Sequence, residues 1–239
     1  MTFERFTMND ENSTQQIKKY TFYTSSQNSN SNSKEELEIL IPEKEKSAGY
    51  SLFTWRCAPL LAWFLWDRRK ALPNLKILEI GCGTALPGIL AAKCGAHVTL
   101  SDSCTLPKTL HNIRNSCLLN NLQPGKDIDV IGLSWGVLQN NIFTLGPIDY
   151  IIASDCFYDP SVFEDILATI SFLLDRNPSA KFIFSYQVRS SDWSIEALLK
   201  KWNLSAVNIN VDPIGRESGL DLNDLLGSHT IQLLEITKS

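Results

Sequence analysis

The stretch that decides the fold is Leu75 to Asp102, LKILEIGCGTALPGILAAKCGAHVTLSD. An apolar run ends at Gly81 and Gly83, a helical pattern follows, and a second apolar run stops at Asp102. That order reads as strand, tight turn, helix, strand, with a small-molecule site at the first turn. Gly81 and Gly83 permit a tight turn and close backbone approach, and the helix that follows presents free N–H groups at its start. Asp102 stands about 20 residues beyond the turn, where a carboxylate can accept both hydroxyls of a ribose. An adenosine-containing cofactor is the expected ligand.

The identity of that cofactor turns on two side chains. A dinucleotide fingerprint needs a third glycine at position 86, where this chain has Leu86, so close pyrophosphate approach is poorly provided for. Glu79, two residues before the first glycine, is adverse to a pyrophosphate and suits a ligand with a cationic end. S-adenosylmethionine carries an ammonium and a sulfonium, so it is favoured over NAD, whose oxidoreductases are the competing enzyme class.

From Leu75 onward, strands are expected at Lys76–Ile80, His97–Ser101, Val130–Leu133, Tyr150–Ser154, Lys181–Tyr186, Ala206–Val211 and Thr230–Ile236. Helices are expected at Leu86–Cys94, Pro107–Asn120, Val162–Leu174 and Ile195–Trp202. This alternation predicts an α/β fold: a doubly wound, mostly parallel seven-stranded sheet of Rossmann-like form, its last two strands pairing antiparallel at one edge. The domain is expected to run from Gly49 to Ser239, preceded by an N-terminal extension over 1–48. Met1–Gln16 is polar and reads as irregular, and Gln27–Ser33 is a Gln/Asn/Ser tract too polar to stay ordered alone. Lys19–Thr24 and Leu37–Ile41 could pair as a hairpin around that tract. Pro59 opens a helix in which Trp63 and Trp66, three residues apart, share a core-facing side.

Composition narrows the function classes. The net charge of −4 and pI near 5.4 argue against a nucleic-acid surface and leave room for a basic protein partner. No apolar run approaches a membrane span and no signal or transit segment is evident, so a cytoplasmic and nuclear protein is expected. Cys57, Cys82, Cys94, Cys104, Cys117 and Cys156 lack paired C-x-x-C spacing and read as buried thiols, with no metal site.

In a doubly wound sheet, ligands sit beyond the carboxyl ends of the strands, so strand ends hold the candidates. Trp135 follows the third strand, where its face could pack an adenine ring. The fourth ends in Ser154 and Asp155, with Tyr158 close behind: a carboxylate and a phenol where an acceptor group would lie. Tyr186 and Arg189 end the fifth and are candidates for the same pocket. His97, His111 and His229 fall at poor positions for catalysis, and no serine sits in a G-x-S-x-G elbow.

Taken together, LEIGCGTALPGILAAKCGA, the aspartate of VTLSD, the LSWG stretch and IIASDCFYDP resemble family 16 of the seven-β-strand, S-adenosylmethionine-dependent protein methyltransferases, over roughly Gly49 to the C-terminus. The resemblance implies a class I methyltransferase with Trp55, Glu79, Gly81, Gly83, Asp102, Trp135 and Ser154 lining the cofactor site, Trp55 packing against the cofactor. It implies that Asp155 and Tyr158 form the acidic-x-x-aromatic catalytic motif. Ala85 departs from it, since many members have glycine there; an alanine is acceptable if already helical.

Methyl transfer is an in-line displacement, so the enzyme mainly aligns the reacting atoms and excludes water. Lysine must lose its proton first, whereas arginine needs carboxylates that hold its guanidinium in plane. The resemblance tilts the expectation toward arginine of a histone or other protein, including chaperone-associated ones, with lysine as the alternative. A fold that binds partners without turnover is the reading from another class.

Overall fold

The computed structural model describes residues 5–8, 15–24 and 35–239, and the Gln27–Ser33 tract lies outside them. The strands are β1 (Arg5–Met8), β2 (Gln15–Tyr23), β3 (Glu36–Glu43), β4 (Lys76–Glu79), β5 (His97–Asp102), β6 (Asp129–Gly132), β7 (Tyr150–Ser154), β8 (Lys181–Gln187), β9 (Leu204–Ile209) and β10 (Ile231–Lys238). The α-helices are α1 (Cys57–Asp67), α2 (Leu86–Lys93), α3 (Pro107–Leu119), α4 (Asn140–Phe143), α5 (Phe163–Arg176), α6 (Glu196–Lys201) and α7 (Leu222–Leu226).

The larger sheet has seven strands in the order β6-β5-β4-β7-β8-β10-β9. The pairings among β4 to β8 are parallel, and β10 runs antiparallel to β8 and β9. This is the doubly wound sheet that the alternation predicts. The strand order reverses between β4 and β7, which opens a crevice at their carboxyl ends. The last two strands do pair antiparallel, with β10 between β8 and β9, so the chain reaches the edge first and then returns. The five-residue α7 bridges them, and α4 is a single turn between β6 and β7; both are too short to leave a periodic pattern.

Each face of this sheet carries its own core. Leu78, Ile80, Ile151, Ala153, Phe182 and Phe184 face α5, whose Ile166, Ile170 and Leu173 are buried. The opposite side chains, Ile77, Ile152, Ile183 and Leu233, face the layer of α1, α2 and α3. Every residue of α1 from Cys57 to Trp66 is buried, as befits a helix apolar all round. Its outer side is covered by the second sheet, β1-β2-β3. Phe22 meets Trp63 at 5.0 Å, Tyr23 lies edge-on to it at 5.9 Å, and Trp66 Nε1 donates to Tyr23 O at 3.2 Å. Trp63 and Trp66 are thus core aromatics, as their spacing predicts. Asn120, at the end of α3, holds Leu40 of β3 from both backbone groups, at 2.9 and 2.7 Å. Within the stretch read as irregular, Arg5–Met8 is a strand, because pairing with Gln15–Lys18 of β2 supplies its backbone partners.

Candidate functional site

The β4–α2 turn is built around two left-handed glycines. Gly81 and Gly83 have φ of +55° and +52°, which side chains rarely adopt. Neighbours leave no room for a side chain at Gly81 and little at Gly83. A Cβ at Gly81 would sit 2.6 Å from Trp135 Cζ2 and 2.8 Å from Cys156 Sγ, and one at Gly83 would lie 3.3 Å from Ser51 O. The turn therefore presents bare backbone at the crevice. Ala85 also lies in the left-handed region, at φ +65° and ψ 24°, as the N-cap of α2. This corrects the expectation that it is already helical: Ala85 N–H closes the turn onto Cys82 O at 2.7 Å, one step before the helix begins.

Asp102 ends β5 and pins that turn. Its Oδ2 accepts from Gly83 N–H at 2.9 Å and its Oδ1 from Ser103 N–H at 2.8 Å. Burial pushes its carboxyl up, while those two N–H groups pull the other way. Each oxygen keeps a further lone pair. Glu79 is fully buried beneath the turn, with Oε2 accepting from Gly88 N–H at 2.8 Å and Oε1 without a partner among the described residues. Burial pushes its carboxyl up to about 8, and the charge of Asp102 adds to this. Gly88 permits the contact: a Cβ there would lie 2.4 Å from both Glu79 Oε2 and Leu100 Cδ2. The close helix–strand approach that a dinucleotide fingerprint assigns to its third glycine is thus made at position 88, where the sequence reading did not look.

The far side of the crevice comes from β7 and the residues after it. Ser154 is half-buried and paired with Ser185 of β8. Asp155, at φ +57°, is buried, and its N–H donates to Ser185 O at 2.7 Å. Its carboxylate forms a two-point ion pair with Arg189, at 2.9 and 2.6 Å, which the sequence reading missed. Cys156, whose thiol lies against Gly81, joins this half of the site to the turn. Tyr158 is 44% exposed. Its ring stacks on Tyr50 at 6.3 Å, and Tyr50 stacks on Trp55 at 5.9 Å. Trp55 Nε1 donates to Tyr50 O at 2.9 Å, and the Lys46 ammonium lies 4.7 Å from the Trp55 ring centre. Tyr50, also missed, makes Trp55 and Tyr158 one aromatic row.

The segment that carries this row folds onto the glycine turn through Thr54 and Thr84 hydroxyls 2.8 Å apart, and onto α3 through Ser51 and Thr109 hydroxyls 2.7 Å apart. Trp135 stands half-buried over Gly81. Cys104 departs from the expected burial: it is exposed, and hydrogen bonds from Ser134 and Gln139 draw its thiol below the usual range.

The orphaned Glu79 Oε1, the bare Gly81–Gly83 backbone, the spare lone pairs of Asp102 and the indole at Trp135 are suited to a ligand with a cationic end, vicinal hydroxyls and a flat ring. S-adenosylmethionine has all three.

A family model described as lysine methyltransferase matches residues 32–197. The chain is 47% identical over 204 residues to the histone-arginine methyltransferase METTL23 of Xenopus laevis, covering 85% of this chain and 86% of that one. To the histone-arginine methyltransferase METTL23 of Homo sapiens it is 48% identical over 187 residues, 78% and 97% of the two chains. The protein-lysine methyltransferase METTL21E of Bos taurus is 29% identical over 164 residues, 66% of this chain and 56% of that one. Among solved structures, an S-adenosylmethionine-dependent methyltransferase from Agrobacterium tumefaciens aligns with a TM-score of 0.54 at 16% identity, over 84% of this chain and 67% of that one, a likeness of fold.

Proposed function

Because the chain belongs to the family 16 methyltransferases, we propose that it methylates an arginine side chain of a protein, with a histone as the leading acceptor. The enzyme class is S-adenosylmethionine-dependent protein methyltransferase. The observation that carries arginine is identity: relatives named as histone-arginine methyltransferases share nearly half their aligned residues with this chain, and the lysine-directed relative 29%.

S-adenosylmethionine, when bound, supplies a methyl carbon already activated by its sulfonium. The chain has to hold, orient and dehydrate. Glu79 offers Oε1 to the ammonium, Asp102 its lone pairs to the ribose hydroxyls, and Gly81 and Gly83 allow the ligand close to the backbone. Trp135 presents an apolar face to the adenine, and Ser154 lines the crevice between the two halves. Asp155 and Tyr158 orient the acceptor nitrogen toward the methyl carbon, which is the main demand of an in-line displacement. The stacked row of Trp55, Tyr50 and Tyr158 flanks the acceptor side, with Tyr50 and Tyr158 exposed to an incoming chain.

A lysine acceptor is the second reading: the family model that matches residues 32–197 is described as lysine methyltransferase, and the geometry adds an argument. Both oxygens of Asp155 are already engaged by Arg189, so a second planar guanidinium finds no open two-point site there. One experiment separates the two: purified protein with methyl-labelled cofactor in a hypomethylated lysate, followed by mass spectrometry of the labelled proteins. Label on arginine supports the proposal, and label confined to lysine overturns it. Cofactor binding with no protein labelled would leave a partner-binding role.

A further inference from the structure

The carboxylate of Asp155 is nearly enclosed, with 3% of the side chain exposed. Oδ1 accepts from Gln187 N–H at 3.2 Å and from Arg189 Nη1 at 2.9 Å. Oδ2 accepts from Arg189 Nη2 at 2.6 Å. Arg189 is itself steadied by a bond from Nη1 to Gln187 O at 3.2 Å, and 22% of its side chain is exposed. The thiol of Cys57, a weak donor, lies alongside. A carboxylate has about four lone-pair positions. Three are filled by strong donors, so at most one remains, on Oδ2.

We propose that Arg189 is a positioning residue of the transfer step: its planar fork fixes the plane of Asp155 and leaves at most one oxygen position, on Oδ2, to meet the acceptor nitrogen. This rests on the reading that Asp155 faces the acceptor. The acceptor is then held at one point by Asp155, and its remaining contacts fall to Tyr158 and the aromatic row. The left-handed backbone of Asp155 and its N–H bond to Ser185 O fix the main chain, but they do not fix rotation of the carboxylate; the two-point pair does. An ammonium binds at one point and cannot replace a fork, so lysine is no substitute at 189.

The test uses the full chain as Arg189→Ala, Arg189→Lys and Asp155→Asn. Initial rates of tritium transfer from S-adenosylmethionine are read on the protein bands that the parent labels in a hypomethylated lysate, across a dilution series. Calorimetry gives the cofactor Kd, and thermal melting checks folding. Both Arg189 variants are expected to keep the cofactor Kd, to lose about 10²-fold in rate at saturating lysate, the scale of a small misplacement at the reacting centre, and to keep the half-saturation point. Millimolar guanidinium is expected to restore part of the rate of Arg189→Ala and none of that of Asp155→Asn.

An Arg189→Ala enzyme with an unchanged saturated rate overturns the proposal. If its half-saturation point also falls, Arg189 is a competitor that the acceptor displaces. Should Arg189→Ala fail to fold, Arg189→Lys decides: full activity overturns the proposal, and loss with an unchanged melting temperature supports it. Full activity of Asp155→Asn, or no labelling by the parent protein, overturns the reading beneath it.

Discussion

Glu79 is the group whose chemistry can be tested most directly. It is fully buried, shares one oxygen with Gly88 N–H, and is held by burial at about 8 against an ordinary value of 4.5. Between those two values the native chain binds a proton that the unfolded chain has released. The stability this group contributes is therefore fully present below pH 4.5, declines as pH rises through the window, and is gone above about 8. Each pH unit costs about 1.4 kcal/mol, and the whole window about 5 kcal/mol. Glu79→Gln keeps an oxygen for Gly88 N–H and has no proton to lose, so its stability should not share that decline. Urea unfolding of the cofactor-free parent and variant at about pH 5 and about pH 8 reads the difference directly, because the other titrating groups are common to both.

A second arm ties this to the ligand. An ammonium against Oε1 favours the ionised carboxylate, so cofactor binding near neutral pH should expel a proton from Glu79. Below about pH 8 the affinity of the parent relative to Glu79→Gln should then rise by up to about tenfold per pH unit. Taking the ratio removes titration of the ligand's own amine. Parallel stability curves, together with an affinity ratio that stays flat with pH, would refute the reasoning.

Three further substitutions probe the turn. Asp102→Ala should weaken cofactor binding by about 1–3 kcal/mol in calorimetry, because it removes a charged acceptor for the ribose and also releases Gly83 N–H; unchanged affinity in a folded variant rules the assignment out. Gly88→Ala should lower stability to urea by about 1–3 kcal/mol, despite alanine's better helix propensity, since the new Cβ would overlap Glu79 Oε2 and Leu100 Cδ2. Ala85→Gly should leave the unfolding free energy within about 1 kcal/mol of the parent, because relief of about 1–2 kcal/mol of left-handed strain offsets a lost buried methyl and added chain entropy. A large loss there would mean that Ala85 is unstrained.

The local parts of the fold and site were legible in the sequence. Glu79, Gly81, Gly83 and Asp102 fall within a single βαβ unit, where strand and helix periodicities fix their relative places, and the structure brings them to one turn. The sheet as a whole, the antiparallel pairing of its last two strands and the hairpin of Lys19–Thr24 with Leu37–Ile41 were legible too; the side-chain partnerships that strand register creates were not. β1 is four residues inside a mostly polar stretch and is a strand through its pairing with β2, and Tyr50 takes its place in the aromatic row only when the segment before α1 folds over the turn. Ala85 carries no sign of its left-handed backbone, since no residue type marks it as glycine would.

The ion pair of Asp155 and Arg189 is the most consequential case. In the sequence, the position of Asp155 after β7 points to the acceptor side, and the position of Arg189 after β8 points separately to the same pocket. Parallel pairing sets Ser154 opposite Ser185, which brings the residues just past the two strand ends side by side. Nothing in either segment alone fixes that register. Once it is fixed, the two candidates cannot both face the acceptor independently, because each fills much of the other's hydrogen-bonding capacity. On the proposed acceptor role of Asp155, the chemistry offered to the incoming nitrogen is that of the pair: a carboxylate whose charge is balanced by Arg189, held in plane, with little acceptor capacity to spare.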